Sequence, residues 1–156
     1  MKTVIRIQPE SFDVGIEVAA LEGDDAGAVV TFTGFVRHQS AAGEVSAIEL
    51  EHYAGMTEKS LQLICAEAAS RWPLLAATVI HRIGYLSAGA PIVLVGVSSV
   101  HREAAFQGAS FLMDWLKTRA PFWKKEWVNG EAMWVASKAS DAAAADRWQP
   151  TAPPVA

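Results

Sequence analysis

The chain has 156 residues and a single cysteine, Cys65, so no internal disulfide can form and the fold cannot lean on a cross-link. Cys65 lies in Thr57–Trp72, where Leu61, Ile64, Cys65, Ala68 and Trp72 recur at helical spacing. That places it in a core, as an inert thiol. Any sulfur chemistry would need sulfur from outside the chain. No apolar run reaches the roughly 18 residues of a membrane span. The opening Met1-Lys2-Thr3-Val4-Ile5-Arg6 lacks the apolar core of a signal peptide. The expectation is a soluble, cytoplasmic protein. No Walker loop, Gly-x-Gly-x-x-Gly or Gly-x-Ser-x-Gly occurs, which leaves nucleotide-binding and serine-hydrolase readings without support. His38, His52 and His81 have no ligand spacing with one another or with Cys65, so a zinc site is not expected and no metal is assigned. His81, inside an apolar strand, reads as structural.

What is present begins with charge. The net charge is −4, but residues 1–67 carry 4 Lys/Arg against 11 Asp/Glu, and residues 68–156 carry 9 against 6. A −7 half and a +3 half argue against a broad nucleic-acid face and for a local anion site. Lys117, Arg119, Lys124 and Lys125 fall within nine residues, around Pro121, Phe122 and Trp123. Two neighbouring amines with partial burial lower each other's pKa, and a neutral lysine can act as nucleophile or base. A charged pair would instead clamp phosphate or carboxylate, and solvated helix-end cations answering the macrodipole remain a third reading. His101-Arg102, at a strand-to-helix junction, is placed to bind an anion. Arg37 closes an apolar strand and opens a polar segment, where scaffolds present binding side chains.

Periodicity predicts a strand over Thr3–Gln8, a helix over Val14–Leu21, a buried strand over Ala28–Val36 and a loop over His38–Glu44. A strand over Val45–Tyr53 follows, then a helix capped by Thr57 and stopped by Pro73. Ala77–Ile83 and Ile92–Val100 read as strands joined by a turn-rich segment. The clearest helix puts Ala105, Phe106, Ala109, Leu112, Met113 and Leu116 on one face and ends before Pro121. Phe122–Val128 and Ala132–Ala136 flank Asn129-Gly130, a type I′ hairpin signal, and Asp141–Trp148 reads as a short helix. This order implies one α+β domain over residues 1–148 with a mainly antiparallel sheet, and a flexible, proline-rich tail over 149–156. Arg102 and Lys117 are separated by about 22 Å of helix at 1.5 Å per residue. If both serve one small ligand, a second copy of the chain supplies one of them.

Five segments then resemble, in order, the large catalytic subunit of molybdopterin synthase: Thr33–Arg37, Leu50–Met56, Val79–Gly84, Ser99–Phe106 and Leu116–Glu126. The resemblance spans about residues 28–136. It departs at Ala90, where family members often carry an acidic residue. It implies an α/β-hammerhead fold, a central homodimer within a heterotetramer, and a small ubiquitin-like sulfur-carrier subunit as partner. The implied activity is a sulfurtransferase reaction in molybdenum cofactor biosynthesis. Two sulfurs pass from the partner's C-terminal thiocarboxylate into cyclic pyranopterin monophosphate, making the dithiolene of molybdopterin. No cofactor is implied, since the pterin phosphate is substrate. Carried over by position, Lys117 and Lys124 are catalytic. Phe35, Val36, Arg37, His101, Arg102, Lys125 and Glu126 complete the substrate pocket, and Lys138 is an additional cation. The competing reading is a non-catalytic dimeric module that docks an acidic C-terminal tail.

Overall fold

A computed structural model describes residues 1–136 and 139–149; Lys138 and residues 150–156, nearly all of the expected tail, lie outside the described residues. The elements are β1 (Lys2–Gln8), α1 (Val14–Leu21), β2 (Ala28–Phe35), β3 (Gln39–Ser40), β4 (Gly43–His52), α2 (Met56–Arg71) and β5 (Leu74–Arg82). They continue as β6 (Gly84–Ser87), β7 (Pro91–Ser99), α3 (Arg102–Arg119), β8 (Phe122–Val128), β9 (Glu131–Val135) and α4 (Ala139–Asp146).

The architecture is α+β, and every strand pair is antiparallel except β1 with β5. One sheet runs β1-β5-β7-β2; the other runs β3-β4-β8-β9, with β6 also paired to β4. The apolar runs of β5 and β7 follow from burial on both faces. On one face Gly96 meets Leu21 of α1, where an added Cβ would come within 2.4 Å of the leucine side chain. On the other, Val97 approaches Gly108 of α3. The main core joins that second face to α2 and α3 through Leu61, Ile64, Cys65, Phe111 and Leu112. A smaller core of Val36, Val45, Ile48, Leu50, Leu86 and Val128 lies under the second sheet.

Several expectations are corrected. β2 is not a buried strand: it is the edge of its sheet, and Phe32 and Phe35 are exposed. The His38–Glu44 segment is not a plain loop, because Gln39 and Ser40 pair with Glu44 and Gly43 across a tight reversal. The turn-rich segment after β5 contains a strand, β6, which pairs with β4. Phe106 does not join the core face of α3; it is 61% exposed beside Arg102.

Thr57 is not the N-cap of α2. Gly55 takes that position at φ +83°, where a side chain would be strained, and its N–H donates to the Glu58 carboxylate at 2.7 Å. Thr57, the second residue of α2, is fully buried. Its hydroxyl accepts from the Tyr53 N–H and has two carbonyls to donate to, Tyr53 and Pro121, each at 3.1 Å. It thereby ties the start of α2 to the reversal between α3 and β8. Thr57→Val removes that hydroxyl and strands the Tyr53 N–H, at an expected cost of about 1–3 kcal/mol, read as a lower midpoint in urea unfolding.

Candidate functional site

The site forms where α3 ends against both sheets. Pro121 cannot continue the helix, so the chain reverses and enters β8. Lys117 precedes that reversal and Lys124 follows it, and both border one cleft of about 660 Å³. Arg37, two residues beyond β2, borders it as well. The walls are apolar: Phe32 and Phe35 from β2, Leu50 from β4, Met113 and Leu116 from α3, and Phe122 from β8. A second cleft of about 510 Å³ shares Arg37 and Lys124 with the first, and adds Glu126, Met133 and Trp134.

Three cations, from α3, β8 and the segment after β2, border an apolar-walled cleft that can take an anion joined to a flat, poorly solvated group. Each lysine has a carboxylate at long range. Lys117 Nζ is 3.7 Å from Asp141 of α4, and Lys124 Nζ is 3.8 Å from Glu126. The Lys117 side chain is 53% exposed, so its ion pair is weak and an entering anion can compete for it. Glu126, by contrast, is buried.

Strand alternation sorts the neighbouring cations. In β8, Phe122, Lys124 and Glu126 pair with His52, Leu50 and Ile48, on the face that holds the small core and the cleft. Trp123, Lys125 and Trp127 take the other face. Lys125 therefore does not line the cleft: its Nζ sits 4.4 Å from the Trp134 ring centre and 3.9 Å from Glu51. Val36 does not line it either. Its side chain is buried in the small core, its N–H donates to Ala90 and its carbonyl accepts from Gly89. Phe35, Arg37, Lys117 and Lys124 are brought together; Glu126 borders the adjoining cleft.

His101 and Arg102 stand at the opposite end of the continuous, 18-residue α3. His101 is the N-cap residue but makes no capping bond with its side chain, and the Ser99 hydroxyl donates to its carbonyl. Within one chain this pair is absent from the cleft lining.

His81, which reads from the sequence as structural, lines the cleft. Its ring stacks on Phe122 with centroids 3.8 Å apart, and its Nδ1 lies 2.8 Å from the Arg82 carbonyl. Burial drives its pKa down to about 4; the Arg82 contact opposes this and nearby His52 adds to it. The signal available in the sequence was a lone histidine near the end of an apolar strand, three residues before Gly84. Cys65 is fully buried in the main core, where burial pushes its thiol up to about 11. Among the described residues, no group of three or more His, Cys, Asp or Glu is placed to hold a metal ion. No helix among them is long and apolar enough to cross a membrane.

Comparison with known proteins gives concordant results. The family model described as "MoaE protein" matches residues 7–119. The molybdopterin synthase catalytic subunit of Pseudomonas aeruginosa is 53% identical over 147 residues, covering 93% of this chain and 98% of that protein. A molybdopterin biosynthesis MoaE protein from Burkholderia ambifaria superposes with a TM-score of 0.81 at 46% identity, covering 95% of this chain and 98% of the other. A Helicobacter pylori structure, a complex of subunits 1 and 2 of molybdopterin-converting factor, shares the fold at a TM-score of 0.66. Its identity is 16%, over 85% of this chain and 88% of that one.

The position of Cys65 gives a direct test. With a raised pKa and no access to solvent, the native thiol should resist iodoacetamide at pH 8 for hours, whereas protein in urea should gain one adduct by mass spectrometry. Rapid labelling of the native chain would show the core to be open there.

Proposed function

The chain belongs to the MoaE protein family, and from that premise we propose that it is the catalytic subunit of a molybdopterin synthase. In this reading it moves two sulfurs from the C-terminal thiocarboxylate of a small ubiquitin-like partner into cyclic pyranopterin monophosphate. The observation that carries the reading is the convergence of Arg37, Lys117 and Lys124 on one apolar-walled cleft. Its sulfur must be brought in, because Cys65 is sealed in a core.

The roles follow from position. Arg37 presents a planar fork of donors suited to a phosphate, and Phe35 offers a face for the pterin. Lys117, at the helix end and half exposed, is reachable by an extended tail entering from solvent. There its ammonium stabilises the tetrahedral oxyanion formed as the thiocarboxylate is consumed, or protonates the leaving group. Lys124 is the second cation over the reacting centre, and Glu126 holds it in place at 3.8 Å.

His101 and Arg102 enter this scheme through a second copy of the chain. The supporting features are the edge of β2, unpaired among the described residues, with exposed Phe32 and Phe35, and the exposed Phe106 one turn from Arg102. A homodimer that covers these groups can carry the N-terminus of one α3 to the cleft of its neighbour. Lys138, outside the described residues, remains a candidate additional cation.

The decisive assay incubates the chain with thiocarboxylated partner and the cyclic precursor, then follows the pterin by mass spectrometry. Gain of two sulfurs supports the enzyme; tail binding with an unchanged pterin supports a docking module instead. Lys117→Ala should lower turnover by about 10²–10³, and near-normal turnover would remove Lys117 from the mechanism. Arg37→Ala should weaken precursor binding; unchanged affinity would count against a phosphate role. Mixing Arg102→Ala chains with Lys117→Ala chains tests the composite site. Random exchange should restore about a quarter of wild-type activity, whereas a site built within one chain gives no recovery.

A further inference from the structure

His81 stands apart from the cation site and yet faces the same cleft. On β5 it continues the face that carries Ala77 and Val79, which α2 and α3 cover. At His81 that cover ends, and the ring borders the cleft beside Met113 and Leu116. Phe122 lies nearly parallel to it, at 17° between planes. Rotation of the ring would break both the stack and the contact from Nδ1 to the Arg82 carbonyl.

That contact fixes the tautomer. A carbonyl only accepts, so Nδ1 carries the ring proton. Burial keeps the ring neutral at pH 7, which leaves Nε2 with a bare lone pair. Arg37, Lys117 and Lys124 are donors only, and the carboxylate of Asp141 is already next to Lys117. A ligand with an anionic end and a heterocycle bearing N–H groups needs an uncharged acceptor as well as cations.

We propose that His81 is a substrate-binding residue that separates the pterin from a simple phosphate, its Nε2 accepting a hydrogen bond from a ring N–H or amino group. The inference rests on the sulfurtransferase reading above and adds to it the point at which the heterocycle is recognised. A site built to accept such a bond discriminates strongly against ligands that lack the donor, because its own polar atom is then left unpaired.

The test uses the complete complex. His81→Phe keeps an aromatic ring against Phe122 and removes the acceptor. It should raise KM for the pterin precursor about tenfold, with kcat changed less than about twofold. Competition by inorganic phosphate, a probe of the cations alone, should be unchanged. His81→Gln, which can place an amide oxygen near Nε2, should recover part of the affinity. Unchanged KM in His81→Phe, or equal weakening of inorganic phosphate, would overturn the proposal. If His81→Phe fails to fold, nitrogen NMR of the wild-type imidazole decides. An unprotonated Nε2 whose resonance moves on saturation with precursor supports the assignment, and an unmoved resonance refutes it. Failure of the wild-type complex to modify the pterin would instead refute the underlying sulfurtransferase reading.

Discussion

The arrangement depends on the reversal at Ala120-Pro121. Proline stops α3 and turns the chain into β8, so a helix end and a strand start are held within a few residues of each other. Thr57 reaches this turn from α2, with its hydroxyl 3.1 Å from the Pro121 carbonyl. The turn thus belongs to both cores at once: Ala120 and Phe122 pack with the main one, and β8 runs on over the smaller one. The cleft opens where those cores part, with Lys117 on one side of the turn and Lys124 on the other.

The electrostatics suit transient occupancy. The separation of 3.7 Å between Lys117 and Asp141 exceeds a hydrogen bond, and a contact of that kind near solvent contributes little to stability. Asp141 orients the Lys117 amine without neutralising it tightly. A phosphate or carboxylate oxygen can then take the place of Asp141 at small cost. The apolar walls reduce competition from water at the same spot.

Much of this was legible in the sequence, for identifiable reasons. Strong periodicity located α1 and α3, and the Asn129-Gly130 pair announced its hairpin through two positive φ values, 52° and 78°. The cation cluster was visible because four cations fall within nine residues, and Arg37 because it follows an apolar strand in a half of the chain with few cations. Long-range pairing was not visible. β3 and β6 are strands only because β4 lies beside them, and β2 is an edge strand because, among the described residues, no strand pairs with its outer side. Val36 and Arg37 are adjacent in sequence, yet one is sealed in a core and the other faces the cleft; motif membership carries no information on which side of a backbone a residue projects. His81 was passed over because its strand is apolar and the end of its cover lies in α3, far along the chain.

The Asn129-Gly130 turn sits at the far tip of the β8–β9 hairpin. A two-residue turn of this kind permits one register, pairing Val128 with Glu131 and, further back, Lys124 with Val135. Because strand side chains alternate, a slip by a single residue would exchange inward and outward neighbours along all of β8. Lys124 would leave the cleft, and an aromatic or Lys125 would enter. The tip therefore works as an indexing pin: it touches no ligand, but it sets which of two adjacent lysines is presented to the anion.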